Sequence, residues 1–219
     1  MSWAAALRPT PIIDSDHPAV IGFATAAVAS CSDDTARAVA LHYAVRDGFR
    51  YDPYKLDLSA EGLSASRVIA NGYGWCVPKA ILLAAAARAI GIPARIGFAD
   101  VRNHLSTARL RETMGTDVFY YHGYTAIHLE GRWVKATPAF NIELCQKFGL
   151  LPLDFDGLSD SIYHPFDASG QRHMEYVGFR GEFDEVPHQD LLRTFAEHYP
   201  HITRLDGESW DRDVVAETA

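Results

Sequence analysis

Apolar and polar residues alternate along this chain with two periods, and each period predicts its own kind of element. The stretch VPKAILLAAAARAIG, residues 77–91, is apolar on nearly every side of a helical wheel. That pattern predicts a helix buried inside the core rather than lying on it. Pro78 suits a first turn, where its missing N–H costs nothing, and Gly91 with Pro93 supplies the stop. Upstream, Pro18 to about Val45 reads as helical, with Ser32-Asp33-Asp34 capping a second helix and Gly48 ending it. Tyr51 to Leu58 reads as extended loop and Ser64 to Ala70 as one or two helical turns. Residues 1–17 read as an irregular or poorly packed arm.

The period of two begins downstream. Ala94 to Ala99 predicts one strand, a loop follows around residues 102–115, and Val118 to Leu129 predicts a second strand. Its alternation puts His122, Tyr124, Ala126 and His128 on one face, with Gly123, Thr125, Ile127 and Leu129 on the other. Glu130-Gly131 makes a short turn, Arg132 to Thr137 returns as the partner strand, and Pro138 ends it. This turn sets Leu129 opposite Arg132 and Tyr124 opposite Thr137. Thr137 then shares the face of His122, one diagonal step away. Beyond Asn141 come a Leu/Phe/Asp-rich segment, a polar stretch near Ser159–Arg172 and a closing helix from Gln189 to Tyr199. Phe155, Phe166 and Tyr176 read there as packing residues, and Asp154, Asp156 and Asp160 as a solvated acidic loop. With no repeat or linker, one domain over residues 1–219 is the simplest organisation.

Composition narrows the function. A net charge of −8 argues against nucleic acid or an anionic membrane as the main partner, since both reward basic patches. No run is long and apolar enough for a membrane helix, and the first twenty residues lack the basic start of a secretory signal. The three cysteines at 31, 76 and 145 form neither a disulfide framework nor a zinc pattern, and they suit a reducing cytoplasm.

Cys76 stands apart from the other two because it opens the buried helix, just after the turn NGYGW. Unpaired N–H groups at a helix start carry partial positive charge, so a cysteine there is expected to have a depressed pKa and a reactive thiolate. The same N–H groups suit a developing oxyanion. A thiol also needs a base, and His122 in the strand is the candidate, with Thr137 placed to orient it. His128 sits by the turn and reads as a rim residue. His164, His173, His188, His198 and His201 read as surface or loop groups, with no ligand spacing among them. No metal, calcium or other cofactor is expected.

The segment GYGWCVPKAILLAAAARAIGIPARIGF, followed by HGYTAIHLEGRWVKATP and preceded by FRYDPYKLDLSAEGLSASRVIA, resembles the transglutaminase-like superfamily. The resemblance covers about residues 40–140, leaving 142–219 as an extension packed on that core. It implies an α+β fold with a papain-like transglutaminase core, in which the nucleophile opens a buried helix packed on an antiparallel sheet. Cys76 matches the nucleophile and His122 the base. Thr137 stands where the family has an aspartate, and Tyr124 where it has a tryptophan. Asn141 and Asp117 are the alternatives to Thr137 as the group behind His122, and Tyr73, Trp75 and Tyr124 are the candidate substrate contacts. The implied activity is acyl transfer through a thioester, most directly hydrolysis of an amide in a peptide or small molecule. Transfer to an amine is the alternative, and a non-catalytic binding module is the reading from another class.

Overall fold

The computed structural model describes residues 3–103, 106–162, 174–205 and 207–218; His164, Phe166 and His173 lie outside them. Helix α1 (Pro18–Ala27) and helix α2 (Asp34–Gly48) precede the short strand β1 (Arg50–Tyr51). Asp33 caps α2 by accepting from the Ala36 N–H at 2.8 Å, as the acidic run predicts. Two small helices follow, α3 (Ala60–Leu63) and α4 (Ala65–Asn71). Gly72 then closes α4 in the left-handed region at φ +71°. Strand β2 (Tyr73–Gly74) pairs in parallel with β1 and delivers the chain to helix α5 (Cys76–Ala89).

Helix α5 is the hub. Every residue from Cys76 to Arg88 is buried, because β4, β3, α1, α2 and α4 pack around it. Its alanines make that close approach on all sides possible. Lys79, although fully buried, fits because its Nζ donates to the carbonyls of Arg46 and Phe49 at 2.9 and 2.6 Å, tying α5 to the end of α2.

The main sheet has the order β5-β4-β3-β6 and is antiparallel throughout. Strand β3 (Ala94–Asn103) runs further than the sequence pattern predicts. After helix α6 (Ala108–Met114), where the sequence pattern predicts loop, comes β4 (Val118–Leu129), then β5 (Arg132–Ala136). Leu129 pairs with Arg132 as the turn requires. The ladder with β5 stops at Ala136, and the Thr137 N–H donates instead to the Ser161 carbonyl at 2.9 Å.

Helix α7 (Ile142–Phe148) leads to β6 (Met174–Phe183), α8 (His188–His198) and α9 (Trp210–Thr218). Of these only α8 was legible in the sequence. The N-terminal arm also needs correcting. Ala6, Ile12 and Ile13 are buried, and the Trp3 ring lies 4.1 Å from that of His128, so the arm is packed although it is irregular. Its apolar residues are too few and too irregularly spaced to show a period. No helix among the described residues is long and apolar enough to cross a membrane.

Candidate active site

Trp75 caps α5 with extended backbone and no side-chain cap, so the first N–H groups of the helix are left free beside the Cys76 sulfur. Gly123 of β4 brings the sheet against this helix start: a Cβ there would lie 2.8 Å from the Val77 Cα. Two residues along, the Thr125 hydroxyl donates to the Ala80 carbonyl at 2.8 Å and fastens the same face of β4 to α5.

His122 precedes this contact and follows a bulge. The β3–β4 register shifts between Ala99 and Val101, and Tyr121 takes φ +58°, a conformation rare for a bulky residue. Its N–H donates to Asp100 Oδ1 at 3.2 Å, and the same oxygen accepts from Arg180 Nε at 2.6 Å. Arg180 also stacks over the Tyr121 ring at 4.5 Å. Bulges re-aim neighbouring side chains and recur beside active sites; here the neighbour is His122.

Cys76, His122 and Trp75 line one narrow cavity of about 40 Å³. Cys76 is 6% exposed and His122 4%. Burial pushes the Cys76 thiol up to about 11, against the opposing pull of the N–H groups of Gly123, Val77 and Cys76 itself. Burial also pushes His122 down to about 4. The expectation of an acidified thiol is therefore corrected. The helix start does favour the thiolate, but loss of solvent outweighs it. At neutral pH the pair rests as thiol and neutral imidazole.

Asn141 is occupied: its Oδ1 accepts from the Tyr51 N–H at 3.0 Å and its Nδ2 donates to Glu143 at 2.7 Å. Asp117 pairs with Arg102 at 3.0 Å and is more than half exposed. Thr137 is 1% exposed, and its hydroxyl makes no hydrogen bond; neither does the buried Nε2 of His122.

Two predicted substrate contacts lie elsewhere. Tyr124 alternates with Gly123 and Thr125 and so points away from α5. Its ring covers Gly97 and meets Phe179 edge-on, while its hydroxyl reaches Glu182 at 3.5 Å. Tyr73 lies beneath the Lys55 ammonium, 4.3 Å from its ring centroid, in a separate groove of about 660 Å³ beyond Trp75 and Leu56. Of the two same-parity residues His122 and Tyr124, only His122, next to the bulge, lines the cavity, and the β2 extension carries Tyr73 away from it.

The sequence reading missed the far wall. Leu110 and Met114 of α6, Phe195 of α8, and Tyr199 and Ile202 just beyond it line the rest of the cavity. The Tyr199 hydroxyl accepts from the Tyr120 N–H and donates to the Val118 carbonyl, pinning α8 to the start of β4. The sequence pattern marks α8 as a closing helix, with nothing in it to name what the helix packs against. Among the described residues, no group of three or more His, Cys, Asp or Glu side chains is placed to hold a metal ion.

The family model of the transglutaminase-like superfamily matches residues 21–138, more than half of the chain. No curated protein matches it. A crystal structure of a candidate cysteine protease from Cytophaga hutchinsonii is similar at 18% identity and a TM-score of 0.47, over 81% of this chain and 52% of that one. The chain thus spans about half the length of that protein.

Proposed function

This chain belongs to the transglutaminase-like superfamily, and from that premise we propose that it is an enzyme of acyl transfer through a thioester on Cys76, with His122 as its base. The observation that carries the reading is that thiol and imidazole line one cavity, where the buried Nε2 of His122 has no hydrogen-bonding partner. The cavity is narrow, which favours a small amide-containing substrate or a single residue of a peptide over an extended strand.

The chemistry follows from the resting charge state. With the thiol near 11 and the imidazole near 4, a preformed thiolate–imidazolium pair is rare. The proton instead moves from sulfur to His122 as the sulfur attacks the carbonyl carbon. The N–H of Cys76 faces the developing oxyanion. His122 then returns the proton to the leaving amine, and water attacks the thioester to release the acid. Hydrolysis is preferred over transfer to an amine because no described residue at the cavity offers a site for an amine donor.

The test is intact-protein mass after incubation with p-nitrophenyl acetate. We expect a single acetyl adduct on native protein that is missing from Cys76→Ala. Equal labelling of both proteins sinks the proposal. It leaves the non-catalytic binding module, which the uncharged Thr137 and the neutral pair favour.

Thr137 carries its own prediction. Thr137→Val replaces a hydroxyl that has no partner with a methyl group of the same shape, so urea unfolding is expected to change by less than about 1 kcal/mol. If the hydroxyl orients His122 during turnover, acylation slows about ten- to a hundredfold. An unchanged acylation rate removes Thr137 from the mechanism.

A further inference from the structure

The cavity that holds Cys76 and His122 also limits what is attached to the reacting carbonyl. No Asp, Glu, Lys or Arg among the described residues lines it. The Tyr199 hydroxyl is already spent on the backbone of β4. Apart from the hydroxyls of Tyr51 and Tyr120, the remaining wall is aliphatic or aromatic, with Leu56, Leu110, Met114, Phe119, Phe195 and Ile202 lining the space. Charge is concentrated instead across Trp75 and Leu56, where Lys55, Asp57, Arg67 and Glu208 border the larger groove.

Size adds a second limit. A water needs about 10–15 Å³ of such space, so the 40 Å³ here takes a group of two or three non-hydrogen atoms. Buried His122, with an unpartnered ring nitrogen, marks this space as a reaction site rather than a packing defect.

Resting on the acyl-transfer reading, we infer that the acyl group delivered to Cys76 is short, aliphatic and uncharged, of the acetyl-to-butyryl class. A terminal carboxylate or ammonium on the acyl chain finds no counter-charge here and loses its water. A chain longer than the space must displace packed side chains of α6 and α8. In the step itself the sulfur–carbon bond forms while the carbon–oxygen bond of the ester breaks. The thiol proton passes through His122 to solvent as p-nitrophenolate leaves.

A series of p-nitrophenyl esters tests this on the native protein: acetate, butyrate, hexanoate and hemisuccinate. The readouts are the p-nitrophenolate burst and the adduct mass, with Cys76→Ala as control for the other cysteines. Acetate and butyrate are expected to acylate Cys76 at least tenfold faster than hexanoate. Butyrate should exceed hemisuccinate, which has a similar chain with a charged end, by about a hundredfold. Met114→Ala, which opens the far wall, should bring hexanoate up to the butyrate rate and leave hemisuccinate slow. Hemisuccinate matching butyrate, or hexanoate overtaking acetate on native protein, overturns this inference while the acyl-transfer reading stands. If no ester in the series acylates Cys76, both fall.

Discussion

Acidification from pH 7 to pH 4 is expected to remove several kcal/mol of folding stability, read from urea unfolding at successive pH values. His42 and His122 are both buried, and loss of solvent pushes each down to about 4. His42 has one partner, the Leu153 carbonyl at 3.3 Å from Nε2, and its Nδ1 has none. In the unfolded chain each ring takes up a proton near 6.5, whereas in the fold it does so only near 4. Between those values the unfolded state holds more protons, so stability falls as pH falls, and the loss is complete below the folded value. A tenfold difference in proton affinity is worth about 1.4 kcal/mol. Two such rings therefore consume a large part of the roughly 5–15 kcal/mol that holds a typical domain together.

Other groups leave the sign of that prediction intact. Burial pushes Lys79 down to about 7, but it is protonated in both states across most of this window and adds little slope. Burial raises the Asp52 carboxyl, which works mildly in the opposite direction just above 4. The lowered carboxyl of Asp47, held by Arg46, matters only below its unfolded value. His42→Leu should remove roughly half of the acid-induced loss, whereas a flat stability profile from 6.5 to 4 in the native protein contradicts two buried neutral histidines.

The elements that carry the chemistry were the legible ones, because their patterns are local. An apolar run closed by Gly91 and Pro93 specifies α5, and strict alternation closed by a two-residue turn specifies β4 and β5 with their register. That Cys76 and His122 come to one cavity could be read from those two elements and the resemblance they carry. The cavity's far wall could not. Helix α6 has only seven residues and produces no clear period, and the pattern of α8 does not name what that helix packs against. The raised pKa of Cys76 is not legible in sequence for a related reason. A helix start is visible in sequence, but the degree of burial that outweighs it depends on Phe195, Tyr199 and Ile202, more than a hundred residues away. Alternation alone puts Tyr124 on the face of His122, yet only His122 reaches the cavity, while Tyr124 covers Gly97 and meets Phe179.

Gly123→Ala is expected to damage fold and site together, and the reason is geometric. A Cβ on this residue lies 2.8 Å from the Val77 Cα, 3.2 Å from the Cys76 carbonyl oxygen and 3.3 Å from the Val77 Cγ2. The nearest of these is backbone, so no rotamer relieves the clash. Helix α5 must move off β4, and it is buried from Cys76 to Arg88 with neighbours on every side. Close-packed interiors transmit such a shift rather than absorb it, at a cost of about 1–3 kcal/mol or more. The displaced turn holds Cys76, and the displacing residue adjoins His122, so the separation of thiol and base changes directly. A misplacement near 1 Å costs about a hundredfold in rate. Gly72→Ala is the matched comparison. It places a Cβ at φ +71° with no atom within 4 Å, so it strains the α4 cap by about 1 kcal/mol without touching α5. Urea unfolding and the acylation burst, measured on both variants, separate the two effects. Gly123→Ala should lose both stability and acylation, and Gly72→Ala stability alone; equal acylation by the two variants contradicts the tight β4–α5 contact as the element that sets the distance between Cys76 and His122.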